Sequence, residues 1–380
     1  MDRNARQRLI RRGLATAAGA VVVVVFAASW YFSNVLRDDL LVPTPFTPES
    51  TSVVTAVGTG RIILEPGPDA ERDGVYGLLG PNGYGQVSNV LAITDTGVER
   101  GFRLFEGTIE VGDPVALDQY AYAGDPETAH GIDFREIRFS GDLGQHPAWV
   151  IDGDRDTWVI VVHGKGLEER RQALRIIPRL HDAGYPVFVI AYRNDTLAPK
   201  SEDGRYGWGF DEWLDIESAM FFAEANGADD FVLYGFSMGG AITATYLHEA
   251  PELEQVAGVI WDSPVLDLEA VVDSSASDRS IPGLLTWLAK GLSAIRFGVD
   301  WDALDQVERA AEFDVPVLLM HGSADDTVPV ESADEFAAAR PESVRYERFD
   351  GLDHVLLWNG DPARYEAAVL EFLVDVAGDE

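Results

Sequence analysis

Apolar and polar positions divide the chain into three textures. Gly13 to Leu36 runs without a charged residue, and Val21 to Phe26 is its most apolar part. As a helix this stretch spans about 36 Å at 1.5 Å per residue, enough to cross a hydrocarbon core of about 30 Å. From Val53 to His130 the apolar runs are short: Val53–Val57, Arg61–Leu64 and Val87–Thr94. Turn-rich pieces such as Gly80-Pro81-Asn82-Gly83-Tyr84-Gly85 separate them, which predicts a small β-rich region. From Gly131 the rhythm changes again. Phe134–Phe139, Ala148–Ile151, Trp158–Val162, Val187–Tyr192, Phe231–Tyr234, Val256–Trp261, Val315–Met320 and Val344–Phe349 read as strands. Glu168–Ala183, Trp208–Asn226, Gly240–His248, Ser332–Ala339 and Asp361–Val376 read as helices. Apolar strands alternating with helices predict an α/β domain, a mostly parallel sheet covered on both faces. Residues 266–313 interrupt the alternation and suggest a small helical cap insertion, a long crossover being the plainer alternative.

Charge sharpens the ends of this scheme. Residues 1–12 carry Arg3, Arg6, Arg8, Arg11 and Arg12 against Asp2, while Trp30 and Tyr31 stand near the far end of the apolar stretch. Residues 13–36 therefore read as a transmembrane anchor behind a basic tail that stays cytoplasmic, with the rest of the chain outside. A cleaved signal peptide ending near Ala27-Ala28-Ser29, and hence a secreted protein, is the alternative. Residues 37–52, with Pro43, Pro45 and Pro48, read as an extended tether. The expected organisation is then tail 1–12, anchor 13–36, tether 37–52, β-rich accessory region 53–130 and α/β domain 131–380.

Across all 380 residues, 29 Lys plus Arg oppose 64 Asp plus Glu, a net charge of −35. Such a surface repels polyanions, which excludes non-specific nucleic-acid binding and favours a neutral substrate. The chain has no cysteine, so disulfides, zinc–thiolate sites and a cysteine nucleophile are all excluded.

The sharpest chemical motif is Gly235-Phe236-Ser237-Met238-Gly239-Gly240, directly after one strand and directly before an apolar helix. That context suits a nucleophile elbow, in which small residues at −2 and +2 let a tight turn throw the Ser237 hydroxyl out over the sheet. A serine nucleophile needs a base and the base an orienting carboxylate. Of seven histidines, His354, in the loop between Val344–Phe349 and the last helix, is the base candidate. Asp325 follows the strand Val315–Met320 at the carboxyl edge of the sheet, where sites of open α/β sheets gather. Asp326 should point elsewhere, and Asp262 is the alternative carboxylate, with a turn-capping role more in keeping with its place. For the oxyanion hole, the backbone N–H of Met238 and an N–H of Gly164 or Lys165, in His163-Gly164-Lys165-Gly166, are the candidates. The Lys165 side chain reads as solvated. Tyr192-Arg193-Asn194-Asp195 either orders that loop or merely ends a strand.

With His163-Gly164-Lys165-Gly166, the Ser237 elbow, His321-Gly322-Ser323-Ala324-Asp325-Asp326-Thr327-Val328-Pro329 and Asp353-His354, residues 131–380 resemble the α/β-hydrolase superfamily, in its serine-hydrolase branch near lysophospholipase-like and acyl-peptidase-like members. Tyr192-Arg193-Asn194-Asp195 departs from the Tyr-Arg-Gly often found there. The resemblance implies an eight-stranded sheet and a Ser–His–Asp mechanism on acyl substrates without cofactor or metal. Esterase or lipase-like activity is the first expectation and an aminoacyl peptidase the nearest enzymatic alternative. A non-catalytic scaffold on the same fold is the alternative of another class.

Overall fold

Arg3–Leu36 forms one helix whose apolar middle is bare: Val21 to Val24 are between 61% and 68% exposed. This computed structural model describes residues 3–250 and 255–378; Met1 and Asp2, at the head of the basic tail, lie outside the described residues. Only the last turns of the helix are covered. Ser29 and Ser33 are buried there against the cap helix Gly283–Phe297. Arg296 clamps this contact, sitting 3.7 Å from the centre of the Trp30 ring and donating to Ser33 Oγ and to Asn34 Oδ1 (2.8 Å).

Residues 37–52, expected to be a free tether, lie instead along the α/β domain. Leu41 is buried, its carbonyl accepts from the Tyr206 N–H (2.8 Å), and the Leu40 carbonyl accepts from Trp208 Nε1 (3.2 Å). Pro45 then pairs with Leu167 as an isolated bridge. Pro-rich sequence sets an extended backbone, but the apolar side chains Leu41 and Phe46 give that backbone a surface to bind.

The β-rich region is a closed six-stranded barrel of β1 (Ser52–Gly58), β2 (Arg61–Leu64), β3 (Tyr76–Gly80), β4 (Asn82–Thr94), β5 (Gly97–Thr108) and β6 (Pro114–Asp118). The order around it is β1-β2-β5-β4-β3-β6, so no strand edge is left open. Ile62, Leu64, Leu78, Val87 and Val98 fill its interior. The glycine-rich piece read as a turn is mostly strand. A side chain at Gly83 would come within 2.6 Å of the Thr108 carbonyl, so glycine is there for close strand packing rather than for turning.

The α/β domain is built on β7 (Arg135–Gly141), β8 (Gly144–Ile151), β9 (Thr157–Val162), β10 (Val187–Ile190), β11 (Asp230–Phe236), β12 (Val256–Asp262), β13 (Val317–Gly322) and β14 (Val344–Phe349). They form one sheet in the order β14-β13-β12-β11-β9-β10-β8-β7, antiparallel only at β7–β8 and β8–β10. Two apolar clusters, one on each face, bury β9 and β13 completely and β11 from Phe231 onward. The single helix expected over Glu168–Ala183 splits into a 3-10 segment, Glu169–Arg175, and a short α-helix, Ile177–Asp182. Pro178 explains the break, since it is tolerated only in a helix's first turn. Between β12 and β13 the helices Leu268–Asp278 and Gly283–Phe297 form the cap.

Candidate active site

Three loops at the carboxyl edge of the sheet converge on Ser237. The turn after β11 is so tight that Ser237 adopts φ 49°, ψ −114°, a region a side-chain-bearing residue rarely occupies. Its neighbours must be glycines on packing grounds: a side chain at Gly235 would meet the Gly239 carbonyl at 2.6 Å, and one at Gly239 the Val162 carbonyl at 2.1 Å. Local strain of roughly 1–3 kcal/mol is thereby held by the surrounding backbone. The Ser237 Oγ lies 2.9 Å from His354 Nε2, and His354 Nδ1 lies 2.7 Å from Asp325 Oδ2. A carboxylate facing Nδ1 fixes the proton there, leaving Nε2 to accept from the serine hydroxyl.

Electrostatics bias the pair in one direction. Burial opposes a charged imidazole, but the Asp325 carboxylate outweighs it, aided by Asp262 and Asp353, and His354 stands above its ordinary value of 6.5. For Asp325, burial raises the carboxyl pKa while His354 and His321 lower it; the histidines win and hold it well below the usual carboxylate range. His321, at the end of β13, also faces this carboxylate. Its Nε2 lies 3.1 Å from both Asp325 Oδ2 and the Val328 carbonyl, so it steadies the side of the carboxylate that His354 uses. The Val328 and Thr327 N–H groups grip the other oxygen, Oδ1, at 2.7 and 2.9 Å.

Asp326 does point elsewhere, with its carboxylate accepting from the Thr327 hydroxyl. Asp262 is wholly buried and caps no backbone amide with its side chain. It accepts from the Tyr365 hydroxyl (2.8 Å) and the Ser263 hydroxyl (3.0 Å), while Ser263 Oγ accepts from the Val355 N–H (3.1 Å) beside His354. Asp262 thus reaches the histidine loop through the Ser263 hydroxyl.

Of the oxyanion candidates, Met238 opens the helix Met238–Glu249, where an N–H has no intrahelical acceptor. Gly164 requires a correction: its N–H donates to Gln172 Oε1 at 2.8 Å and is not free. That bond takes the Gly164 N–H out of the oxyanion set and leaves Lys165 as the remaining candidate named for this loop. Gln172 was not singled out from the sequence, since a glutamine inside a helical pattern carries no spacing signal. The Tyr192–Asp195 segment orders the same loop: the Tyr192 hydroxyl donates to the Gly164 carbonyl (2.7 Å), and Asp195 Oδ1 accepts from the Glu168 N–H (2.9 Å). The Lys165 side chain, expected in solvent, is half-buried because residues 37–46 fold over it; burial lowers its pKa against the opposing pull of Asp39.

The barrel reaches the site as well. Gln119 and Tyr120 line the cavity of about 280 Å³ around Ser237, together with Leu40 and Phe46 of the docked segment. Leu356, two residues past His354, is buried in the barrel core. Asn359, wholly buried, donates to the Val75 and Gln119 carbonyls (2.7 and 2.8 Å) and accepts from Arg175 (2.9 Å). Among the described residues there is no group of three or more His, Cys, Asp or Glu side chains placed to hold a metal ion.

Comparison with known proteins gives two family matches. The model of the serine aminopeptidase S33 family matches residues 153–301, and a domain family of unknown function, DUF8805, matches residues 53–118. No curated protein matches the sequence. Among solved structures, an esterase from Pyrococcus furiosus is similar at 20% identity over 67% of this chain and 95% of that one, with a TM-score of 0.54. A second crystal form of the same esterase gives 19% identity, 68% and 98% coverage and a TM-score of 0.53. At that identity the likeness is one of fold.

Proposed function

We propose, from the serine aminopeptidase family match over residues 153–301 and the geometry around Ser237, that this α/β-hydrolase-like chain is a membrane-anchored serine hydrolase cleaving an acyl ester. Ser237 Oγ attacks the carbonyl carbon while its proton passes to His354 Nε2. The imidazolium so formed is held by Asp325, and the oxyanion is received by the N–H groups of Met238 and Lys165. Collapse expels the alcohol, protonated by His354. Water, deprotonated by the same histidine, then releases the acyl group from Ser237.

The observation that carries this is the unbroken Ser237–His354–Asp325 hydrogen-bonded chain with the nucleophile on a strained turn. A scaffold has no use for that strain. Anchoring rests on the one described helix long and apolar enough to cross a membrane, whose most apolar stretch is exposed. The serine aminopeptidase family match favours a second reading, release of an N-terminal aminoacyl group.

A fluorophosphonate probe tests the reaction class. Covalent capture is expected on the wild-type chain and none on Ser237→Ala; a folded wild type that takes no label overturns the proposal. With unlabelled enzyme, faster turnover of p-nitrophenyl esters than of aminoacyl anilides separates the two readings.

A further inference from the structure

The cavity around Ser237 does not end there. It shares Asp39, Leu40, Lys165, Val271 and Thr327 with a second cavity of about 670 Å³, within the usual range of about 300–1,000 Å³ for a small-molecule site. This larger space lies between the end of the N-terminal helix and the cap. Phe32, Val35 and Leu36 form one apolar wall, and Val271, Val272 and Ala276 of the cap helix Leu268–Asp278 form another. Asp39, Lys165 and Thr327 stand where it meets the Ser237 pocket, and Asp38, Ser275, Asp278 and Arg279 add polar groups elsewhere on its lining. A chamber with two facing apolar walls, joined to a nucleophile through a polar neck, can take an acyl chain that ends in an ester.

The surface beside it has a matching character. On the cap helix Gly283–Phe297, Leu284, Trp287 and Ile295 recur at helical spacing and are 62%, 66% and 86% exposed. Arg296, on the same helix, clamps Trp30 and Asn34, so this bare apolar face stands next to the helix proposed as the anchor. An anchored helix carries its neighbour to the membrane, and an exposed apolar face there goes into the interface rather than into water.

We propose that the N-terminal helix is a wall of the substrate site as well as an anchor, and that the substrate is a long-chain acyl ester dissolved in the bilayer. Its chain occupies the 670 Å³ cavity and its ester passes the Lys165–Thr327 neck to Ser237. This rests on the serine-hydrolase reading above and adds the substrate class.

Because the chain has no cysteine, a single one can be placed in the cavity and blocked after folding. Ser275, which lines the cavity, is half-buried and suited to Ser275→Cys. The full-length protein in phosphatidylcholine vesicles is assayed with p-nitrophenyl palmitate and p-nitrophenyl acetate, before and after N-ethylmaleimide. Modification is expected to lower the palmitate-to-acetate ratio of kcat/KM by at least about tenfold, the scale on which apolar pockets discriminate. The bulky variant Val35→Trp, on the opposite wall, is expected to lower it in the same direction. A ratio unmoved in both overturns the proposal while acetate hydrolysis and fluorophosphonate capture still stand. A wild type that takes no fluorophosphonate overturns the hydrolase reading itself, and this one with it.

Discussion

His354 is asked to be neutral in the resting site and charged during the reaction, and its surroundings set how far apart those demands lie. The Asp325 carboxylate 2.7 Å from Nδ1 favours the imidazolium, so the free site holds its proton to higher pH than an ordinary histidine. Only the neutral form accepts from Ser237. Activity should therefore rise with pH through a value above 6.5 and fall away below it, read as the acid limb of kcat/KM. Asp325→Asn removes the charge and turns the imidazole to the wrong tautomer. It should cost about 10⁴-fold in kcat and move the limb to lower pH. An unmoved limb would mean that another group sets it. The same raised pKa makes His354 a source of stability below its unfolded value that is lost as pH rises through the folded one, whereas Asp325 contributes stability above its unfolded value that is lost on acidification. The two pull the stability curve in opposite directions, so the activity limb is the cleaner reporter.

At the scale of elements, the position of His354 depends on a part of the chain whose sequence gave no hint of it. The elbow was legible because its glycines answer a local need, the tight turn that sets Gly235 against Gly239, and local needs leave spacing signals. Asp325 and His354 were legible because each follows a strand of the sheet. The barrel's contribution was not, because Asn359, Leu356 and Val75 meet only after two separately folded sheets come together. The docking of residues 37–46 escaped notice for the same reason, as a long-range contact with no periodicity, and Gln172 because a glutamine inside a helical pattern carries no spacing signal. The barrel contact has a measurable weight. Asn359→Leu keeps the volume but leaves the Val75 and Gln119 carbonyls and the Arg175 guanidinium short of a partner. We expect a loss of stability on the order of 3 kcal/mol in chemical denaturation, from three broken buried bonds. Because the same residue ends the His354 loop, kcat should fall about tenfold or more with KM little changed. A stability loss with unchanged kcat would show that the barrel supports the fold without aligning the histidine.

For the whole molecule the governing quantity is where its charge sits. Residues 1–40 hold six Arg against three Asp, a net of +3, so residues 41–380 carry −38 of the total −35. The helical stretch between the basic tail and the site, residues 13–36, is about 36 Å long, well beyond a Debye length of about 10 Å at 0.1 M salt. The tail cannot offset the acidic field at Ser237. A soluble ester bearing a carboxylate should then meet a repulsive potential that a neutral ester of equal length does not. The ratio of neutral to anionic kcat/KM should be several-fold at 0.01 M salt, where the screening length is about 30 Å, and fall steadily as salt is raised to about 0.5 M. A preference confined to the pocket would behave otherwise, since partly buried charges are screened much less. Lys165, half-buried at the neck, is the positive group placed to act locally, and its effect should persist at high salt as a residual preference for the anion. A ratio that ignores salt would assign discrimination to the pocket alone and remove the acidic surface from any part in choosing substrates.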